Sequence, residues 1–162
     1  PIVYLRLTKK PTVIFETKNG INILLRVDST DLMALTHVWL IEEYARKKFE
    51  IKSNDTVIDV GAHIGLFTMY AAQTCKNGNI YSYEPVKENF EMLKANMTMN
   101  NLQDVKIFNS AVSNSDSTIT LFMNNDYFLM PAIFAMAYGS FVGSKVSVKR
   151  ASSCMGCFTS LG

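Results

Sequence analysis

Between Asn54 and Phe108 the sequence alternates short β-branched runs with amphipathic stretches, and this rhythm constrains the fold more than any other feature. Thr56-Val57-Ile58-Asp59-Val60 is a brief run of the kind buried in a sheet. Gly61-Ala62-His63-Ile64-Gly65 interrupts it as a loop, and Leu66 to Lys76 reads as a helix ended by Asn77-Gly78. Ile80-Tyr81-Ser82-Tyr83 is a second strand, closed by Glu84. Pro85 suits the first turn of another helix, on which Val86, Phe90, Leu93 and Met97 share one face. Val105 to Phe108 makes a third strand. Strand–helix–strand–helix–strand predicts an α/β fold with a parallel core sheet covered by helices.

The flanks are plainer. Residues 12–27 read as a β-hairpin turning at Asn19-Gly20. Ser29, Thr30 and Asp31 offer N-cap oxygens for a helix over about 32–49, with Leu35, Val38, Trp39, Ala45 and Phe49 as its apolar stripe. Ile119 to Phe122 and Val146 to Lys149 read as further strands, and no internal repeat is visible.

Composition narrows the function classes. With 162 residues, 48% apolar and 19% charged, the chain is one domain's worth of globular protein and not a disordered one. Sixteen basic against fourteen acidic residues, without a basic cluster, argue against a nucleic-acid partner. Three cysteines are too few for a disulfide scaffold, residues 1–10 lack a signal-like apolar run, and a cytoplasmic location is expected. Cys154-Met155-Gly156-Cys157 has neither the second ligand pair of a zinc site nor the strand-to-helix setting of a redox motif, so no metal is expected. The uncharged stretch 127–144 is short for a membrane span and is interrupted by Pro131 and Gly139. Its apolar part, 127–142, is expected to promote self-association if left uncovered.

In an open parallel sheet, ligands bind beyond the carboxyl ends of the strands. Here those ends carry Asp59 through Gly65, Glu84, and Asn109 through Ala111, which should converge. The first loop lacks the middle glycine of G-x-G-x-x-G, and with no Tyr-x-x-x-Lys pattern assigned this disfavours a nicotinamide dehydrogenase. Its Gly61 and Gly65 backbones can lie close to a ligand, and the helix that follows offers free N–H groups to a carboxylate. Asp59 suits a cation. Glu84, nineteen residues after Gly65, suits the two hydroxyls of a ribose.

Asp59-Val60-Gly61-Ala62-His63-Ile64-Gly65-Leu66-Phe67-Thr68, Tyr81-Ser82-Tyr83-Glu84-Pro85, Glu88-Asn89-Phe90 and Asn109-Ser110-Ala111-Val112 together resemble the FkbM family of class I S-adenosylmethionine-dependent methyltransferases. The resemblance covers about residues 54–122. It implies a Rossmann-like fold and S-adenosylmethionine as cofactor. Asp59, Gly61 and Gly65 would surround its methionine part, Glu84 would hold the ribose, and Ser110 and Ala111 would border the adenine. Ala62 and His63 in the loop, and Pro85 after Glu84, complete the implied cofactor-binding set. The implied reaction is transfer of methyl to a hydroxyl of a sugar or secondary metabolite, so the partner is a small-molecule or glycan acceptor. No general base is assigned: His63 and His37 read as packing or hydrogen-bonding residues.

On this basis residues 1–50 form an N-terminal hairpin and helix extension, and 51–162 a partial methyltransferase cofactor-binding domain. The family's fourth core strand, with its K-I-D-x-E-G-like motif, finds no counterpart in this sequence, so the fold is expected without its C-terminal half. The tail from about residue 150 does not look like the family, and a shifted reading frame there would restore a family-like segment. The alternative function is a truncated, non-catalytic chain that at most binds the cofactor.

Overall fold

A computed structural model describes residues 2–7, 11–27, 29–40, 50–113, 116–124 and 141–150; for 2–7, 119, 121–124 and 141–150 only the backbone is considered. The C-x-x-C pair, the tail beyond residue 150, most of the apolar segment 127–142 and the second half of the helix expected over 32–49 lie outside the described residues. Among the described residues no helix is long and apolar enough to cross a membrane.

The chain opens with three antiparallel strands in spatial order β1 (Ile2–Leu7), β2 (Thr12–Thr17) and β3 (Asn22–Arg26). β1 was not anticipated: Ile2-Val3-Tyr4 is β-branched and aromatic, as strands favour, and β2 supplies the pairing. The β2–β3 connection is a three-residue loop in which only Gly20 has positive φ, at 78°. Gly20 N–H bonds to the Thr17 carbonyl, so Asn19-Gly20 turns the chain through a bulged hairpin and not a two-residue one.

Next come α1 (Asp31–Leu35) and, continuing from it, a π-helical turn over Thr36–Leu40. The core sheet follows as β4 (Thr56–Val60), β5 (Asn79–Tyr83) and β6 (Lys106–Phe108), adjacent in that order and parallel. Two helices connect them, α2 (Leu66–Thr74) and α3 (Lys87–Met99). α2 stops three residues short of Asn77-Gly78, and Pro85 stands one residue before the N-cap Val86 instead of inside the first turn. This is the predicted α/β core. A last sheet pairs β9 (Phe141–Arg150) with β7 (Ala111–Ser113) in parallel and with β8 (Ser117–Asn124) in antiparallel.

The pleat of β4 sorts its side chains. Asp59 points to the face covered by α2, where Thr68 of that helix meets it. Ile58 and Val60 point the other way and are 39% and 60% exposed. The core joins the two sheets: Ile23 and Leu25 of β3, Leu35, Val38, Ile64, Leu66, Met69, Leu93 and Met97 form one buried cluster.

What fastens the hairpin to the core is unusual in being amide chemistry. Within its sheet β3 is an edge strand, with unpaired backbone groups at alternate residues. Asn100 Oδ1 accepts from the Asn22 N–H (2.7 Å) and its Nδ2 donates to the Asn22 carbonyl (2.6 Å). Asn96, fully buried, does the same at Leu24, at 2.8 and 3.2 Å. Asp31 accepts from the Arg26 N–H at 2.8 Å. Three successive outward-facing positions of the edge are thus closed by side chains. Asn100→Ala should cost about 1–2 kcal/mol of unfolding free energy, the scale of two lost bonds to a half-buried edge. Urea denaturation measures it, and a loss near zero would mean water replaces the amide.

Candidate functional site

The tips of β4, β5 and β6 are laced together. Gly61 and Ala62 N–H groups both bond to the Tyr83 carbonyl, the Glu84 N–H bonds to the Phe108 carbonyl, and Asn109 Nδ2 donates to the Glu84 carbonyl at 2.8 Å. Asp59, the glycine loop, Glu84 and Asn109-Ser110 therefore occupy one end of the sheet.

Asp59 is 7% exposed. Its Oδ2 accepts from the Thr68 hydroxyl at 2.6 Å, and the Thr68 N–H also points to it. Thr68 is the third residue of α2, so Asp59 caps that helix across the loop. The Ser82 and Thr68 hydroxyls lie 2.8 Å apart. With its one proton given to the carboxylate, Thr68 receives that of Ser82. Burial pushes the Asp59 pKa up, and the Thr68 bonds only partly reverse this.

Glu84 is also buried, and each oxygen accepts a backbone N–H: His63 on Oε2 at 2.7 Å, Val86 on Oε1 at 2.8 Å. Asn89 bonds the carboxylate as well. Burial raises its pKa against the pull of these three donors, and the Asp59 carboxylate raises it further. A carboxylate has about four acceptor directions, so with three donors in place about one remains for a ligand. Asn89, in a helix where periodicity suggests a solvated residue, is instead buried.

The two loop glycines do different work. Gly61 has φ 80°, and a Cβ there would meet nothing within 4 Å. Gly65 has φ 88°, and a Cβ would stand 2.5 Å from Leu93 Cδ1 and 3.0 Å from Met97 Cε. Gly65 is therefore needed for the packing of α3 under the loop, whereas the sequence pointed to ligand approach. His63 takes φ 53°, and its ring turns towards the hairpin, with Nε2 3.3 Å from Arg26 Nη2 and 3.5 Å from Asp31 Oδ1. Burial lowers the His63 pKa, the Asp31 charge opposes that, and the Arg26 charge adds to it.

Ser110 is 4% exposed, and its hydroxyl is the buried polar side-chain group left without a partner among the described residues. Ala111 is the first residue of β7, so Asn109 and Ser110 form a bend leading into the last sheet. A hollow of about 350 Å³ opens at β4. Asp59, Gly61, Ala62 and His63 line it, with Ala34 and Val38 of the first helical segment and Phe67 of α2. Gly65, Glu84, Pro85, Ser110 and Ala111 do not line it. Among the described residues no group of three or more His, Cys, Asp or Glu could hold a metal ion.

Sequence reasoning missed Arg26, Asp31 and Thr68. Thr68 alone carried a signal, a hydroxyl three residues into the helix that the glycine loop opens.

Comparison with known proteins fits this geometry. The chain is 32% identical over 72 residues to Methyltransferase sdnD of Sordaria araneosa, covering 44% of this chain and 28% of that protein. It is 26% identical over 65 residues to Methyltransferase 1 of Beauveria bassiana (strain ARSEF 2860), covering 40% and 26%. The chain thus matches about a quarter of the length of these relatives. Among solved structures it is similar to P. horikoshii TYW2 in complex with MeSAdo, with a TM-score of 0.47 and 18% identity over 66% of this chain and 41% of that one. It is also similar to Aeropyrum pernix fibrillarin with bound S-adenosyl-L-methionine, with a TM-score of 0.35 and 12% identity over 68% and 57%. The model of the TRM5/TYW2 methyltransferase domain matches residues 15–152, from the hairpin to the last strand. With most of its length inside that match, the chain belongs to the TRM5/TYW2 methyltransferase domain family, class I methyltransferases whose cofactor is S-adenosylmethionine.

Proposed function

We propose that this chain forms the cofactor half of an O-methyltransferase acting on a hydroxyl of a sugar or secondary metabolite. The observation that carries the reading is the convergence of Asp59, the Gly61 loop, Glu84 and Ser110 at one sheet end. The resemblance of the motif series to the FkbM family supports the choice of oxygen as acceptor atom. The balanced charge of the chain supports a small acceptor over a polyanion.

When bound, the cofactor supplies an electrophilic methyl group on a sulfonium. The chain's own residues bind and orient. Asp59, held by Thr68, offers negative charge to the cationic methionine end. Gly61 leaves backbone room beside it, with Ala62 and His63 completing the loop. Glu84 offers its remaining acceptor direction to a ribose hydroxyl, with Pro85 beyond it. The unpartnered Ser110 hydroxyl and Ala111 border the adenine, an arrangement that would satisfy the one buried donor left open. Positioning of the acceptor oxygen in line with the methyl group is the main protein contribution to the rate.

Glu84→Gln tests the site with the least disturbance of shape. Affinity for S-adenosylmethionine by calorimetry should fall by about 1–3 kcal/mol, the scale of lost charge-assisted bonds. Unchanged affinity would remove Glu84 from the ligand. The alternative reading is a chain that binds the cofactor without transferring methyl. Methyl transfer from labelled cofactor to a panel of hydroxylated acceptors separates the two.

A further inference from the structure

Five polar residues from separate segments form a chain that reaches from the hairpin to Glu84. Arg26, at the end of β3, is gripped by Asp31 through two parallel bonds, Nε to Oδ2 at 2.9 Å and Nη2 to Oδ1 at 2.8 Å. This fork-to-carboxylate pairing fixes the guanidinium plane. The same Nη2 donates to Asn89 Oδ1 at 2.9 Å and lies 3.3 Å from His63 Nε2. Asn89 and His63 are two of the three residues that donate hydrogen bonds to the Glu84 carboxylate.

We propose that Arg26, locked by Asp31, is a positioning residue for the nucleoside half of the cofactor site, because it holds the Asn89 amide at Glu84 and packs against the ring of His63. The inference rests on the reading of Glu84 as the ribose acceptor. The hairpin is then a working part of the cofactor site. Arg26 meets no ligand itself. It sets the direction of the open Glu84 acceptor site by anchoring the Asn89 amide on one side, while on the other its Nη2 lies beside the ring of His63, whose backbone N–H bonds to Oε2. A lysine keeps the charge near Asp31 but cannot serve two carboxylate oxygens and an amide from one planar fork.

The test compares S-adenosylhomocysteine with its 2′-deoxy analogue by calorimetry on the whole chain. The wild type should prefer the ribose compound by tenfold or more. In Arg26→Lys that preference should shrink to threefold or less, through weaker binding of the ribose compound. Leu93→Ala, which loosens the core beneath the glycine loop without removing a Glu84 donor, should weaken both compounds alike. If Arg26→Lys does not fold, Asn89→Ala cuts the same linkage and should lose the preference too. A folded Arg26→Lys, or failing that Asn89→Ala, that keeps the full ribose preference overturns the inference while leaving Glu84 in place. A wild type that binds neither compound, or binds both equally, overturns the cofactor reading on which it stands.

Discussion

Asp31→Ala should lower the unfolding free energy by about 3–5 kcal/mol, the cost of breaking a buried ion pair from one side. Asp31 is fully buried, and its loss strands the Arg26 guanidinium, 19% exposed, together with the Arg26 backbone N–H. Burial by itself would raise the Asp31 pKa. The Arg26 guanidinium and backbone bonds, the Arg26 charge and His63 overcome it and hold the carboxyl below its ordinary range. A lowered folded-state pKa places the stabilisation at pH above the ordinary carboxylate range and removes it as pH falls through the folded value. Denaturant titrations of wild type and Asp31→Ala should therefore converge in strong acid. A difference under about 1 kcal/mol at neutral pH would show that the arginine swings into water and needs no partner.

Asp59→Asn should act in opposite directions on stability and on binding. The raised pKa of Asp59 means that the folded chain resists its ionisation, so its contribution turns against stability as pH rises through the carboxylate range. Asparagine removes that charge while its amide oxygen keeps the Thr68 hydroxyl bond. Without cofactor, the variant should melt at the same temperature or slightly higher near neutral pH. For S-adenosylmethionine the affinity should drop by roughly 30–150-fold. A carboxylate and a cation about 6 Å apart, at an effective dielectric of about 20, attract by about 2–3 kcal/mol. Thermal melts and calorimetry on the same preparation read both signs. A lower melting temperature with unchanged affinity would make Asp59 only the cap of α2.

The core sheet was legible because its signals are local: β-branched runs such as Val57-Ile58, a glycine-bounded loop, and an acidic residue ending β5. Convergence of Asp59, Glu84 and Asn109-Ser110 followed from topology alone, since neighbouring parallel strands must end side by side. What escaped was whatever depends on a distant partner. Asn89 and Asn96 are polar residues on a helix, and periodicity reads them as solvated. They are buried because Arg26 and the β3 edge, more than sixty residues earlier, supply their bonds. The π-turn at Thr36–Leu40 and the short β7 carry no compositional mark. The contact of Gly65 with the Leu93 side chain likewise depends on a residue that the loop sequence does not contain.

The amide clasp between α3 and the hairpin has a metrical consequence. Four residues of helix advance about 6.0 Å and two residues of strand about 6.6–6.8 Å, so Asn96 and Asn100 can match Leu24 and Asn22 in one alignment only. Like the marks of a vernier, the two scales coincide briefly and then drift apart, and the next strand position, Arg26, is served by a carboxylate from elsewhere. Asn96 also donates to the Ile64 carbonyl at 2.9 Å, in the glycine loop itself. Sliding the hairpin by a single residue would forfeit the coincidence, so one side chain gauges where the amino-terminal strands stand relative to the loop.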